Sequence, residues 1–252
     1  MQYSTEVLLN DFAIRSFRDP ADRDYIHARL AYRHRLVPQF LWSALHCLEK
    51  YAKGILLINR VPAKKLGHEV SGAIERIRDY AKFEVKLSEA VIEFINRLET
   101  GAEFRYFEVS YWNEPYDVVR LDCAVSELRR YCQVLDFEIR SESGITNPLQ
   151  PMLQRIEFAS KSAIKDSCIS NGLLESILKD KKHPSRKALV WQNLYFSNSS
   201  RSKVKLDSFW EAGNAPLFIH PDLIDQVVKY VRFPQKVEKS YRQLISNSSK
   251  ND

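Results

Sequence analysis

Apolar residues along most of this chain recur at steps of three and four, the spacing of a helix with one face turned to a core. Over residues 39–59 the stripe is Leu41, Leu45, Leu48, Ala52, Ile55 and Ile58, widened by Phe40, Trp42 and Tyr51. This helix, opened by Pro38, is expected at the centre of the fold. A helix before it is expected from Asp19 to about Arg35, with Asp19 as cap, Pro20 in the first turn and Asp22 at the positive end of the dipole. Arg60 to Gly67, broken by Pro62, reads as a connection. From about His68 a third stretch carries Val70, Ile74, Ile77, Val85, Val91, Phe94 and Leu98, with a break expected near Phe83 and an end at Gly101. A fourth helix is expected over residues 116–137, on Val118, Leu121, Val125, Leu128, Cys132 and Leu135. Before it, Phe107, Val109 and Tyr111 alternate with Glu108 and Ser110, which predicts an extended segment over 104–112.

Four helices with short links predict a mainly α protein. The expected architecture is an antiparallel helical bundle over residues 1–140, with that short extended insertion, and a smaller, mostly helical region over 151–245. A stretch rich in Ser, Gly, Asn and Pro at 141–151 divides the two. In the second region helices are expected within 152–178, 221–231 and 235–245. A strand is expected within 188–196, an exposed basic turn at 179–184, a loop at 197–200 and a disordered tail at 246–252.

With 44% hydrophobic and 28% charged residues the chain is globular in composition, and its 7 Gly are too few for a turn-rich β-barrel. No apolar run approaches the roughly 18 residues of a membrane span, and no basic stretch followed by an apolar one opens the chain. A cytoplasmic protein with no membrane association is therefore expected. Cys47, Cys123, Cys132 and Cys168 show no C-x-x-C spacing and read as reduced, buried thiols. Cysteines and histidines form no spaced zinc set, so neither a metal nor a cofactor is expected.

The net charge of +6 is uneven: residues 1–140 hold 21 Lys and Arg against 21 Asp and Glu, and residues 141–252 hold 17 against 11. Basic surfaces attract phosphate backbones, although solvated faces carry similar excesses. Within the second helix His46, Lys50 and Lys53 follow at i, i+4 and i+7 and share a face that could grip phosphate. Glu49 and Lys53 at i, i+4 equally form a helix-stabilising pair. Arg60, Lys64 and Lys65 precede His68 at an expected helix start, where unpaired N–H groups favour anions. Arg29, Arg33, His34 and Arg35 make a basic end on the first helix, either an RNA-facing edge or a complement to the helix dipole. Arg129 and Arg130 are read as groove-facing or ion-paired. Tyr195, Phe196, Phe209 and Trp210 flank Arg201, Lys203 and Lys205, a base-stacking arrangement or a satellite core.

Three pieces occur in order: Tyr25-Ile26-His27-Ala28-Arg29, then Leu45-His46-Cys47-Leu48-Glu49-Lys50-Tyr51-Ala52-Lys53-Gly54-Ile55-Leu56, then Gly67-His68-Glu69-Val70. Together they resemble the HEPN (higher eukaryotes and prokaryotes nucleotide-binding) family over about residues 20–138. The resemblance implies an antiparallel bundle, a homodimer and a polar groove at its interface that handles RNA or a nucleotide. It further implies a setting in a bacterial toxin–antitoxin or defence system, with an antitoxin or other partner protein. Ribonuclease members use an arginine to hold the phosphate and a nearby histidine to move protons, without metal. Here the fourth helix has Arg120, Arg129 and Arg130 but no histidine, while Arg29 and His34 give the matching spacing on the first helix. His68, Arg60, His34 and Arg29 are thus the catalytic candidates, and Lys50, Lys53, Lys64, Lys65, His46, Arg129 and Arg130 the RNA- or nucleotide-binding ones. A bundle that serves only as a protein-binding scaffold is the remaining alternative.

Overall fold

The apolar residues of 37–58 nearly encircle their helix, which makes it the central element rather than a surface one. The computed structural model describes residues 3–100, 110–142, 144–161, 169–196 and 204–248. In chain order the elements of the bundle are α1 (Thr5–Ala13), α2 (Asp19–Arg33), α3 (Val37–Ile58), α4 (Val70–Tyr80), α5 (Glu89–Thr100) and α6 (Asp117–Arg129). Contacts between α2 and α3 pair Asp22 with Tyr51, His27 with Ser43 and Tyr32 with Phe40. Rising numbers on one helix meet falling numbers on the other, so the two run antiparallel. The fold is mainly α, as expected.

Three boundaries bear on the sequence expectation, two of which differ from it for identifiable reasons and one of which meets it. The first concerns Asp19, which caps nothing. It has helical angles, φ −69° and ψ −37°, and its N–H donates to the Ile14 carbonyl. A π-helical turn, Ile14–Arg18, joins α1 to α2, and Ser4 caps α1 by accepting from the Val7 N–H. Pro20 has no N–H to complete an ordinary helical bond, and the wider turn just before it accommodates the loss. Secondly, the long third stretch does divide, at residues 81–88, where Ala81 is extended. Thirdly, α6 stops at Arg129, eight residues before the expected end at Phe137, and Tyr131 and Cys132 close a turn onto Leu128 and Arg129.

The apolar core continues past residues 141–151. That stretch holds a hairpin of β2 (Ile139–Ser141) and β3 (Gly144–Thr146), with Gly144 at φ +124° in its turn. Beyond it come α7 (Leu149–Lys161), α8 (Leu173–Lys179) and α9 (Arg186–Val190). Leu149, Ile156, Leu174, Ile177, Leu189 and Phe196 belong to the same cluster as the bundle residues. The strand expected within 188–196 is instead α9 followed by a turn. Asn193, fully buried, organises that turn: its Oδ1 accepts from the N–H groups of Tyr195 and Phe196, and its Nδ2 donates to Leu189 O and Tyr25 Oη, all at 2.8 Å.

Of the expected extended segment, residues 104–109 lie outside the described residues, as does the loop at 197–200. The described end of that segment forms β1 (Tyr111–Asn113), antiparallel to β4 (Glu211–Gly213), with Tyr111 opposite Gly213. The chain closes with α10 (Pro216–Ile219), a 3-10 turn at Pro221–Leu223, α11 (Ile224–Val227) and α12 (Gln235–Ser248). Leu217, Ile224, Phe233, Val237 and Tyr241 form a small separate core there. Residues 246–248, expected in a disordered tail, complete α12.

Candidate functional site

α3 places His46, Glu49 and Lys53 one turn apart on one side of the central helix. The connection after it turns back beside them. Arg60, Lys65 and Gly67 all take positive φ, at 60°, 70° and 53°, and this curls residues 60–68 against the α3 face. The result brings His68 onto Glu49: Nδ1 lies 2.8 Å from Oε2. Lys53 Nζ donates to the other carboxylate oxygen at 2.6 Å and to the Gly67 carbonyl at 2.6 Å. Glu49 is buried, whereas the His68 side chain is 52% exposed, so the carboxylate anchors a ring that faces solvent.

Three rings layer over this ion cluster. Trp42 and His46 have centroids 3.9 Å apart, His46 and His68 stack at 5.6 Å with an interplanar angle of 14°, and Trp42 meets His68 edge-on at 5.9 Å. His46 is half-buried, and its Nε2 is enclosed with no hydrogen-bond partner. Burial pushes its pKa below the usual histidine value, against the opposing pull of Glu49. For Glu49, burial alone would raise the carboxyl, but the hydrogen bonds and charges of Lys53 and His68 outweigh it and hold the group below its ordinary range.

The sequence candidates do not all converge. His46, Lys53 and His68 meet, and Lys50 lies beside them on α3, paired with Asp24 of α2 at 2.5 Å. The face they occupy is therefore partly covered by α2 and the turn rather than open. Lys64 and Lys65 stand exposed on the same turn, which Arg76 braces through the carbonyls of Pro62 and Lys64, each at 3.0 Å. Arg60 closes the C-terminal end of α3, bonding the carbonyls of Leu57, Ile58 and Glu6. His68 precedes α4 rather than opening it. The N–H groups of Val70 and Ser71 at that helix start both donate to Glu99 Oε1, so these two donors are not open to an anion.

Arg29, Arg129 and Arg130 are interior, and of the two readings of Arg129, groove-facing or ion-paired, the ion-paired one holds. Arg29 is fully buried, ion-paired with Asp122 and bonded to the carbonyls of Ala188 and Trp191. His34 is exposed at the end of α2, away from that buried guanidinium. Arg129 grips Asp22 and Glu175 with all its nitrogens, and Arg130 bonds the carbonyls of Ser126 and Ile156. Arg33 and Arg35 lie over the Trp191 and Phe209 rings at 5.6 and 4.9 Å. Phe209 packs on Tyr32 against the main core, whereas Trp210 is exposed; Arg201 and Lys203 lie outside the described residues.

In the sequence Glu49 read as a helix partner of Lys53 and Trp42 as part of the apolar stripe, while Asp24 and Glu99 were passed over. The signal available for Glu49 was the spacing His46-x-x-Glu49, which sets both side chains on one face. A groove of about 490 Å³ lined by Ile74, Glu75, Arg78, Glu84 and Lys86 lies elsewhere along α4 and shares no residue with the cluster. Among the described residues no helix is long and apolar enough to cross a membrane. Compared with protein families, curated proteins and solved structures, the chain matches none.

Proposed function

We propose that the chain binds a nucleotide or single-stranded RNA at the mouth formed by Trp42, His46, Lys53, Lys64, Lys65 and His68. The carrying observation is the seating of His68 on the buried Glu49 carboxylate beside an aromatic shelf and three lysines. The exposed ammonium groups of Lys64 and Lys65 suit a phosphate, and stacked rings suit a base. The binding fits the HEPN-like sequence pattern, and with it a homodimer and a toxin–antitoxin or defence role would follow by analogy. Free Cys47, Cys123 and Cys132 suit a cytoplasmic setting.

The Glu49–His68 pair favours a second reading, metal-independent RNA cleavage. A carboxylate on Nδ1 fixes the tautomer and leaves Nε2 to take or give a proton at a ribose or leaving oxygen. Both readings are tested with fluorescein-labelled RNA in EDTA. Binding by anisotropy should weaken with salt. Lys64→Glu with Lys65→Glu should weaken it further and flatten the salt slope by about 0.7 for each phosphate no longer neutralised. His68→Ala should abolish any cleavage. Absence of binding at every salt concentration sinks the proposal, and cleavage that survives His68→Ala sinks the catalytic reading.

A further inference from the structure

We infer that His46, Glu49 and His68 form a binding site for one borderline transition-metal dication of the zinc class. One ligand atom from each lies within 4.8 Å of the others. Two imidazoles and one carboxylate are a donor set that such ions favour, with three protein ligands leaving a fourth position open. The independent observation is His46 Nε2, a nitrogen shut off from water and bonded to nothing, although buried polar atoms ordinarily have a partner. A cation supplies that partner.

The surroundings suit an ion. Lys53 occupies Glu49 Oε1, so it orients the carboxylate from outside the ligand shell and leaves Oε2 for the metal. The Oε2 to His68 Nδ1 distance of 2.8 Å must open by about 0.6 Å to admit an ion bonded at roughly 2.0–2.2 Å to each. The His46 ligand atom, within 4.8 Å of the other two, must likewise come to bonding distance of the ion. His68 sits half-exposed on a turn just after Gly67, so it has room to move. A bound cation would also take the His68 nitrogen and the Glu49 oxygen that otherwise bond to each other. The loaded site would then offer an electrophile to a phosphate oxygen, whereas the free site offers a proton carrier. This inference does not rest on nucleotide binding, which is measured in EDTA.

The test uses the untagged full chain, stripped with EDTA and dialysed free of it. Cobalt(II) is titrated and followed by its visible absorption, and zinc(II) by calorimetry. One equivalent of each should bind. His46→Gln and His68→Asn should each weaken affinity by at least about tenfold while circular dichroism and the thermal midpoint stay close to those of the parent. His220→Ala, at an exposed histidine distant in sequence, should leave binding unchanged. Failure to saturate at one equivalent, or parental affinity retained in His46→Gln and His68→Asn, overturns the inference. So does a tenfold loss in His220→Ala. Should both cluster variants misfold, the parent's histidine ring NMR signals decide: two rings must shift with one equivalent of zinc, and no shift overturns it.

Discussion

Replacing Arg129 with Met tests whether the C-terminal segment is locked to the bundle by a buried guanidinium. Arg129 makes four hydrogen bonds of 2.7–2.8 Å, two to Asp22 on α2 and two to Glu175 on α8. Asp22 is fully buried and Glu175 nearly so. Gly172 packs directly against the pair, since a Cβ there would lie 2.7 Å from Arg129 Nη2. Methionine fills part of the volume but strands two carboxylates in the interior. Removing one partner of a buried ion pair costs about 3–5 kcal/mol. For a chain of this size that corresponds to a fall in melting temperature of roughly 6–20 °C. Urea unfolding followed by circular dichroism measures the loss. Adding Asp22→Asn and Glu175→Gln to the same chain should recover more than about 1 kcal/mol, because the stranded charges are then gone. A loss below about 1 kcal/mol in Arg129→Met, the level of an exposed pair, would refute the reasoning.

Acid should act on the same lock. Burial pushes the Glu175 carboxyl up, but the hydrogen bonds and charge of Arg129 outweigh it and hold its pKa below the ordinary value. A depressed folded pKa contributes stability that is complete above the unfolded value of about 4.3 and is lost as pH falls through the folded one. Urea midpoints taken from about pH 7 down to pH 3 should therefore drop more steeply in the parent than in Glu175→Gln, and parallel curves would count against it. At the start of α4, Glu99→Ala should cost about 1–2 kcal/mol, since it frees the N–H groups of Val70 and Ser71 and the Ser71 hydroxyl. Amide hydrogen exchange at Val70 and Ser71 should accelerate in that variant, and unchanged protection would contradict the cap assigned to Glu99.

What the sequence by itself determined was the run of bundle helices from α2 to α6 and the apolar face of the central one. The stripe from Leu41 to Ile58 made α3 central, and the break near Phe83 followed from a stretch too long for one helix. His46, Lys53 and His68 were also visible as polar groups around one helix and its following turn. These features are local, because periodicity within a few turns reports which side chains share a face. Only the tertiary structure decided what the polar groups meet. Arg29 read as part of a basic helix end and Arg129 as groove-facing or ion-paired with no partner identified, yet Asp122 lies 93 residues from Arg29, and Asp22 and Glu175 lie 107 and 46 residues from Arg129. The positive-φ turn at Arg60, Lys65 and Gly67 likewise decided that His68 lands on Glu49, nineteen positions away. A charge becomes interior when the bundle closes over it, and closure depends on long-range packing that spacing along the chain does not encode.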